Sequence, residues 1–293
     1  MSVLKKLTIV RHNLLGNSSN EDPGVVISEV SYSNGVETER YNYSSEGLLE
    51  DHVIIELENG LPVKETLETE GQISESVERV FDEKGRLVSE TKHYQEGGSD
   101  ITNYTYEGDK LVLKATSDSD GEEGEKEIWE YNDDKLIKEI KVDLFGETVF
   151  EREYEYDDEG HISSLTEISY HDELPEKTVS LYDEDGRLYV EKRYNGKGNL
   201  IARTTIEYDE YNRPGLYEEE NVRGKKLTSL KYDEAGNNIL QEERAGDGEL
   251  LSSVKREYDS EGRQIFAEVV MQPTLYQAGL HYKLKYLYEF EAS

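Results

Sequence analysis

Apolar and polar residues alternate along most of this chain, and short turns rich in aspartate and glycine interrupt the alternation at regular intervals. The alternation is clearest just before a turn, where Tyr154 and Tyr156 flank Glu155 and the same pattern occurs at 129–131. Successive side chains of a strand point to opposite faces. The pattern therefore predicts strands with one aromatic and aliphatic face and one charged face, as in an antiparallel sheet that is wetted on one side.

The turn with the fullest pattern is Tyr156-Asp157-Asp158-Glu159-Gly160-His161-Ile162. Full copies begin at Phe81, Tyr182, Tyr208, Tyr232 and Tyr258, and copies one residue shorter begin at Tyr106 and Tyr131. From Phe81 onward the successive starts are 25, 25, 25, 26, 26, 24 and 26 residues apart. A fixed period of this size indicates a tandem repeat.

The residue types of the turn predict a hairpin. Asp157 suits the first position of a type I turn because its side chain can accept a hydrogen bond from the backbone two residues on, and Gly160 suits the left-handed position that closes the turn with a bulge. In this geometry Asp157 faces His161, and Tyr156 faces Ile162 on the next strand.

The other copies predict equivalent pairs, in which an aromatic ring faces a branched aliphatic side chain. The full copies pair Phe81 with Leu87 and Tyr182 with Leu188. In the shorter copies a two-residue loop pairs Tyr106 with Leu111, Glu107 with Lys110, and Tyr131 with Leu136. The shorter loop therefore keeps the pairing register. Side chains alternate between the two faces of a strand, so a slip of one residue would have moved the aromatic ring to the other face.

A second, looser set of turns lies between these hairpins, so each repeat holds two strands. We predict an all-β fold in which tandem hairpin repeats of about 25 residues form one long antiparallel meander sheet, coiled into an open spiral or partial shell. Residues 1–24 are expected to form an N-terminal cap strand and loop. Residues 25–271 form the repeat array, and residues 272–293 form a C-terminal capping strand.

Composition narrows the possible partners. The chain has 33 basic and 66 acidic residues, a net charge of -33 and no cysteine. So large an acidic excess argues against nucleic acid, whose phosphates need basic clusters, and favours a basic protein as partner. Without cysteine the chain carries no disulfides, so the sequence does not identify the redox compartment, and the oligomeric state is unknown.

The location follows from segments that the sequence lacks. No apolar run is long enough for a membrane span. The apolar run within the first twelve residues is broken at Arg11 and is too short for a signal peptide. We therefore expect a cytoplasmic protein, although a removed leader or export without a cleaved signal would leave the same sequence.

Catalytic motifs are missing, so we predict that the protein is not an enzyme. The six histidines, at positions 12, 52, 93, 161, 171 and 281, have no ligand spacing. Calcium is the one candidate cofactor, at the hard oxygen ligands of Asp118, Asp120, Asp183 and Asp185, but neither cluster continues into a twelve-residue calcium loop. Turn formation explains the same residues without a metal.

A candidate contact surface lies toward the C-terminal end of the array. The position opposite the aromatic residue holds Pro214, Asn238 and Gln264 in place of leucine or isoleucine, with Tyr208 facing the first of them. The aromatic face could open there into a cavity or a contact, or the repeat could simply have diverged.

The copies Tyr-Asp-Glu-Asp-Gly-Arg-Leu at 182–188, Phe-Asp-Glu-Lys-Gly-Arg-Leu at 81–87 and Tyr-Asp-Ser-Glu-Gly-Arg at 258–263 resemble the YD repeat of the RHS family. The resemblance covers residues 32 to 265. It implies a spiral β-sheet of the kind that wraps a toxic domain as a hollow shell. This chain departs from the family in that its repeat is longer than usual, its array is too short for a full shell, and no toxin domain follows. The family's self-cleaving shells carry an Asp-Pro-x-Gly type motif after the repeats, whereas the only Asp-Pro here, Asp22-Pro23, precedes them.

Three functions follow from the charge, the repeats and the resemblance. The first is a non-catalytic scaffold or binding protein that recognises a macromolecule, most plausibly a basic protein, through an acidic or concave surface. The second is a cytoplasmic immunity or antitoxin-like inhibitor of a basic toxin. The third is a carbohydrate-active enzyme, since paired carboxylates are plentiful.

Overall fold

The structure is a computed structural model that describes residues 3–14, 23–170, 174–274 and 278–291. Within them the chain forms 22 strands in a single sheet. The strands are β1 Leu4–Asn13, β2 Val25–Ser33, β3 Val36–Tyr43, β4 Leu49–Glu58, β5 Leu61–Thr69, β6 Gln72–Phe81, β7 Leu87–Tyr94, β8 Ser99–Glu107, β9 Lys110–Asp118, β10 Glu123–Asn132, β11 Lys135–Val142, β12 Thr148–Tyr156, β13 Ile162–Ser169, β14 Glu176–Tyr182, β15 Leu188–Tyr194, β16 Leu200–Tyr208, β17 Pro214–Asn221, β18 Gly224–Tyr232, β19 Asn238–Ala245, β20 Leu250–Tyr258, β21 Gln264–Met271 and β22 Leu280–Phe290.

Each strand pairs antiparallel with the strand before it and the strand after it, so the all-β antiparallel meander is confirmed. The sheet also closes on itself, because β1 pairs with β2 on one side and with β22 on the other, from Leu4 opposite Phe290 to Asn13 opposite Tyr282. The expected open spiral or partial shell is therefore wrong. The fold is a closed barrel, in which no strand keeps an edge of unpaired backbone groups.

The hairpins have the predicted register. Tyr156 lies opposite Ile162, and the Asp157 amide donates to the His161 carbonyl at 2.9 Å. Gly160 has a positive φ of 93° and its amide donates to the Asp157 carbonyl, as the turn chemistry requires. The other predicted pairs are present too, namely Phe81 with Leu87, Tyr182 with Leu188, Tyr106 with Leu111, Glu107 with Lys110, and Tyr131 with Leu136.

One feature of these hairpins was not predicted. The register shifts by one residue next to each aromatic position, for example between Glu155 and Tyr156. Such a bulge increases the local twist of the sheet. A bulge in every repeat adds twist and bend at the same level of each hairpin, which favours a curved wall over a flat sheet.

The tyrosine of most of these turns also joins neighbouring hairpins. The Tyr156 hydroxyl donates to the backbone carbonyl of Leu136, 2.6 Å away on β11. The same contact is made by Tyr106 to Leu87, Tyr131 to Leu111, Tyr208 to Leu188, Tyr232 to Pro214, Tyr258 to Asn238 and Tyr288 to Gln264. We call this contact the tyrosine bridge. It ties adjacent hairpins together at the end of the barrel that carries the tight turns, where no covalent turn connects them.

A cation often completes the bridge by lying over the tyrosine ring. Arg213 lies 4.5 Å from the ring centre of Tyr232, and Lys135 lies 4.9 Å from that of Tyr156. In both cases the cation comes from the preceding hairpin. Each such contact adds about 0.5–1 kcal/mol at an exposed site.

The barrel wall is a single layer with little buried volume. Among the described residues the buried apolar side chains are those of Val30, Val53, Val190 and Ala267. Stability therefore rests on contacts between neighbouring strands rather than on a central core, as in other repeat architectures.

The two faces of the wall differ in exposure near the tight turns. Val80 is 57% exposed on the charged face, whereas the adjacent Phe81 on the aromatic face is half-buried. Glu153 and Glu155 are exposed, while the alternating Tyr154 is half-buried. Side chains diverge on the convex side of a curved sheet and converge on its concave side. The exposure pattern is thus the one expected if the charged face is convex.

The remaining predicted turns lie at the opposite end of the barrel. Long connections at this end follow β1, β13 and β21. The turn expected at 171–175 and the loop expected at 13–24 lie partly outside the described residues. The expected end strands correspond to β1 and β22, which pair with each other and close the barrel. We call this pairing the seam.

Loss of one tyrosine bridge is expected to weaken the barrel measurably. Tyr232→Phe removes the 2.9 Å hydrogen bond to the Pro214 carbonyl and leaves the ring in place, which should cost about 1 kcal/mol. Urea unfolding followed by circular dichroism measures the shift in midpoint. Tyr211→Phe is the matched control, because Tyr211 is 69% exposed and its hydroxyl has no partner among the described residues. Equal midpoints for the two variants would contradict a stabilising bridge.

Candidate binding surface

A belt of exposed carboxylates runs around the charged face in the half of the barrel nearest the tight turns. Four of them are Glu130, Glu155, Glu207 and Glu257, each one residue before the aromatic position of its turn. None of the four makes an ion pair or hydrogen bond within the described part of the chain. We call these four residues the acidic belt. Unpaired carboxylates on a common level give a negative potential.

The acidic belt arises from the repeat itself. A residue next to the aromatic position must point to the opposite face of the strand, because the side-chain period is two. In this chain that position is glutamate in four of the eight copies, and the other four hold Val80, Thr105, Leu181 and Lys231. The hairpin register alone therefore places these carboxylates at one height on the barrel.

A different set of carboxylates is engaged in forming the turns. Asp157 Oδ1 accepts hydrogen bonds from the backbone amides of Glu159 at 3.0 Å and His161 at 2.8 Å. These bonds, led by the one from His161, hold the pKa of Asp157 below its ordinary value, although partial desolvation opposes them. In another turn the corresponding backbone amides, those of Lys197 and Asn199, donate to the neutral Asn195 Oδ1. The turn therefore needs a hydrogen-bond acceptor rather than a charge.

The predicted calcium residues belong to these turns. Asp118 Oδ1 accepts from the amides of Asp120 and Glu122, and Asp183 Oδ1 accepts from those of Asp185 and Arg187. The two turns lie at opposite ends of the barrel, since one joins β9 to β10 and the other joins β14 to β15.

The carboxylates of the second turn also face an arginine. Asp183 Oδ2 accepts from Arg187 Nε at 2.8 Å, and Asp185 lies 2.9 Å from the same guanidinium. Within the described ranges the chain has no group of three or more acidic, histidine or cysteine side chains that could hold a metal. The geometry thus gives these aspartates a structural role, and their binding of calcium stays a prediction.

The predicted contact surface keeps the ordinary repeat geometry. Tyr208 faces Pro214, and the positions of Asn238 and Gln264 face Tyr232 and Tyr258 in the same way. The backbone carbonyls of all three substituted positions accept a tyrosine bridge. Because the acceptor is backbone, the position tolerates side chains other than leucine. A contact role for these residues stays a prediction.

The aromatic face carries charge as well, at the middle of its strands. Arg152 on β12 bridges Glu139 on β11 at 3.1 Å and Glu167 on β13. Tyr154 donates to the same Glu139, and burial together with this hydrogen bond raises the pKa of Tyr154 to about 12. Arg79 makes an equivalent bridge earlier in the barrel. Both faces of the wall are therefore polar at mid-height.

Sequence reasoning missed a cluster on the charged face of β3, β4 and β5. The rings of Tyr41 and His52 stack with centres 4.1 Å apart, and the His52 side chain is 14% exposed. His52 Nε2 lies 3.0 Å from Glu39, His52 Nδ1 lies 3.0 Å from Glu68, and the Tyr41 hydroxyl donates to Glu39 at 2.8 Å. The bond from Tyr41 leads the interactions that lower the pKa of Glu39. A flat aromatic pair edged by carboxylates suits contact with a cationic group.

No local signal could have located this cluster. Glu39, His52 and Glu68 lie on three different strands, and they meet only because of the pairing of Tyr41 with His52 and of His52 with Glu68. Only the pairing registers of β3 with β4 and of β4 with β5, taken together, would have located this cluster.

Comparison with known proteins gave no family. No family model and no curated protein matches the chain. Among solved structures it is similar to a porin-like protein from Bacteroides uniformis, with a TM-score of 0.36, 10% identity and 99% of each chain covered. A porin-like protein from Bacteroides vulgatus matches with a TM-score of 0.21, 13% identity and the same coverage. The complex TcdB2-TccC3-TEV matches 91% of this chain but only 19% of that one, with a TM-score of 0.31 and 15% identity.

Two expectations are corrected by these findings. Membership of the YD-repeat or RHS family is wrong, because no family model matches and the sheet closes into a barrel instead of a spiral. The cytoplasmic location is contradicted by the two porin-like structures that match the whole chain, and we do not retain it. No pore activity or substrate is carried over from likenesses this weak. Among the described residues no helix is long and apolar enough to cross a membrane.

The turn aspartate is expected to make the barrel sensitive to acid. Because the pKa of Asp157 is lowered on folding, its contribution to stability is present above the unfolded pKa of about 3.9 and is lost as pH falls through the lower folded value. Asp157→Ala should therefore lower the melting temperature at pH 7, and the loss should shrink toward pH 3. Asp158→Ala is the control, since the Asp158 side chain is exposed in the same turn and makes no hydrogen bond or ion pair with the described residues. A pH-independent difference between the two variants would rule out the linkage.

Proposed function

We propose that the protein is a non-catalytic binding scaffold whose acidic belt recognises a basic macromolecule, most plausibly a basic protein. The observation that supports this proposal most directly is the level row of unpaired glutamates at 130, 155, 207 and 257. Complementary charge of this kind raises association rates and selects partners more than it adds contact energy.

The proposal includes an orientation for the wall. The charged face is the more exposed in the half that carries the tight turns, so it forms the outside of the barrel, and the aromatic face lines the lumen. A partner then meets the acidic belt from outside without entering the barrel.

The proposal also places both faces against water. A barrel wall in lipid needs an outward apolar band about 25 Å tall. Here Glu153 and Lys138 form an ion pair on the charged face, and Arg152 bridges two glutamates on the aromatic face. On these described strands, β11 to β13, the ion pairs interrupt any such band on both faces. Recovery of the purified protein only in detergent micelles would contradict this part of the proposal.

The immunity or antitoxin alternative was suggested by the RHS resemblance and by the net charge, and it loses the first of these supports with the family. The carbohydrate-active alternative gains no support from the acidic belt, whose carboxylates stand on separate hairpins rather than in one cleft. Both remain less favoured than a scaffold that binds by charge.

Binding of a small basic protein, such as lysozyme or cytochrome c, tests the proposal. The fourfold variant Glu130→Gln, Glu155→Gln, Glu207→Gln, Glu257→Gln should weaken binding by roughly tenfold at 50 mM salt, with a shallower salt dependence than the unaltered protein. Dissociation constants from surface plasmon resonance at 50 and 200 mM salt measure both effects.

The matched control removes four exposed carboxylates at the other end of the barrel, by Glu46→Gln, Glu50→Gln, Glu70→Gln and Glu96→Gln. It changes the net charge equally and should alter binding by less than about threefold. Equal weakening by both variants would show that total charge, rather than the belt, determines binding, and the proposal would then be wrong.

A further inference from the structure

The strands β14, β15 and β16 carry a basic region that differs from the rest of this acidic chain. Lys177, Lys192 and Arg203 share the charged face, because Lys192 lies opposite both Val179 and Arg203 and Lys177 lies opposite Tyr194. Within the described residues none of the three cations makes an ion pair. We call these three residues the basic patch.

Many lysines and arginines on the wall have carboxylate partners, as Lys114 has Glu127 at 3.0 Å and Lys64 has Glu78 at 3.3 Å. In the basic patch, by contrast, Lys192 and Arg203 are direct cross-strand neighbours, an arrangement that is destabilising for like charges. The nearest carboxylate in register is Glu220 on β17, opposite Arg203, and it forms no ion pair with it.

An open cavity of about 430 Å³ lies beside Lys177 of the basic patch, at the end of the barrel away from the tight turns. Its walls are mostly apolar, formed by Ile168, Val179, Pro175 and the ring of Tyr194, and Lys177 is the charged residue in its lining. Ligand pockets typically have volumes of about 300–1,000 Å³, apolar walls and a few polar groups that fix orientation. The cavity therefore has the size and composition of a small-molecule site.

Gly196 allows the wall to close around this cavity. A Cβ atom at this position would lie 2.2 Å from Leu174 Cβ and 2.5 Å from the Leu174 carbonyl oxygen. The segment that leads into β14 thus packs directly on the turn between β15 and β16. This close approach brings Pro175 next to Tyr194 in the cavity wall.

We propose that this cavity binds a small amphipathic anion, whose apolar body lies against Ile168, Val179 and Tyr194 and whose carboxylate or phosphate meets the basic patch. An anion there relieves the repulsion between Lys192 and Arg203. The site is independent of the acidic belt, because it lies at the other end of the barrel and takes ligands of opposite charge.

Titration calorimetry with octanoate at 50 mM salt tests the site, and octan-1-ol and inorganic phosphate separate its two halves. Octanoate should bind one per chain, and octan-1-ol should bind at least about tenfold more weakly, since it lacks the charge-assisted contacts. Phosphate alone should also bind more weakly than octanoate, because it leaves the apolar walls wet. Equal affinity for octanoate and octan-1-ol would overturn the proposed role of the basic patch.

Variants then locate the binding. The double variant Lys192→Gln, Arg203→Gln should weaken octanoate binding about tenfold or more and leave octan-1-ol unchanged. The control Lys231→Gln, Lys255→Gln removes two exposed lysines from the same face, away from the cavity, and should leave octanoate binding unchanged. Ile168→Ala tests the apolar wall and should weaken both ligands. Unaltered octanoate binding in the Lys192 and Arg203 variant, or an equal loss in the control, would refute the proposal.

Discussion

The pairing of the first strand with the last is the contact on which the rest of this structure depends. An open sheet of 22 strands would leave two edges of unpaired amides and carbonyls, which are sites for aggregation. Pairing β1 with β22 removes both edges and fixes the curvature of every strand between them. The wall has almost no buried core, so closure provides the constraint that a core would provide in a globular domain.

Within the closed wall, the tyrosine bridge links one hairpin to the next through a side-chain donor and a backbone acceptor. That choice of acceptor explains how the repeat can diverge while the geometry is kept, since Pro214, Asn238 and Gln264 present the same carbonyl as the leucines elsewhere. The turn aspartates act on the same principle, as the substitution by Asn195 shows. Charge is therefore free to vary on the charged face, and there it accumulates as the acidic belt.

The hairpins could be predicted from sequence because their information is local. The spacing between Tyr156 and Ile162, and the shorter spacing between Tyr106 and Leu111, specify register within a few residues. Closure could not be predicted in this way, because no local motif records that residue 4 pairs with residue 290. The YD motif led to a wrong family for a related reason: an aspartate and a glycine in a tight turn reflect turn chemistry, which unrelated hairpin proteins share.

The candidate sites show the same division between local and long-range information. The acidic belt follows from the alternation beside each turn, and the sequence therefore predicted an acidic surface. The stacked pair of Tyr41 and His52 and the basic patch depend on register carried across several strands, so they emerged only from the structure. Sequence spacing alone showed scattered histidines and lysines at these places.

Closure of the barrel is tested most directly by a disulfide across the seam. Thr8 on β1 lies opposite Leu287 on β22, and the chain has no cysteine of its own. In the double variant Thr8→Cys, Leu287→Cys, mild oxidation should produce an intramolecular disulfide in nearly every molecule, seen as a faster band on non-reducing gels and as a cross-linked peptide by mass spectrometry. Free thiols or only intermolecular disulfides in the folded protein would show that the first and last strands do not meet, and would contradict the closed barrel.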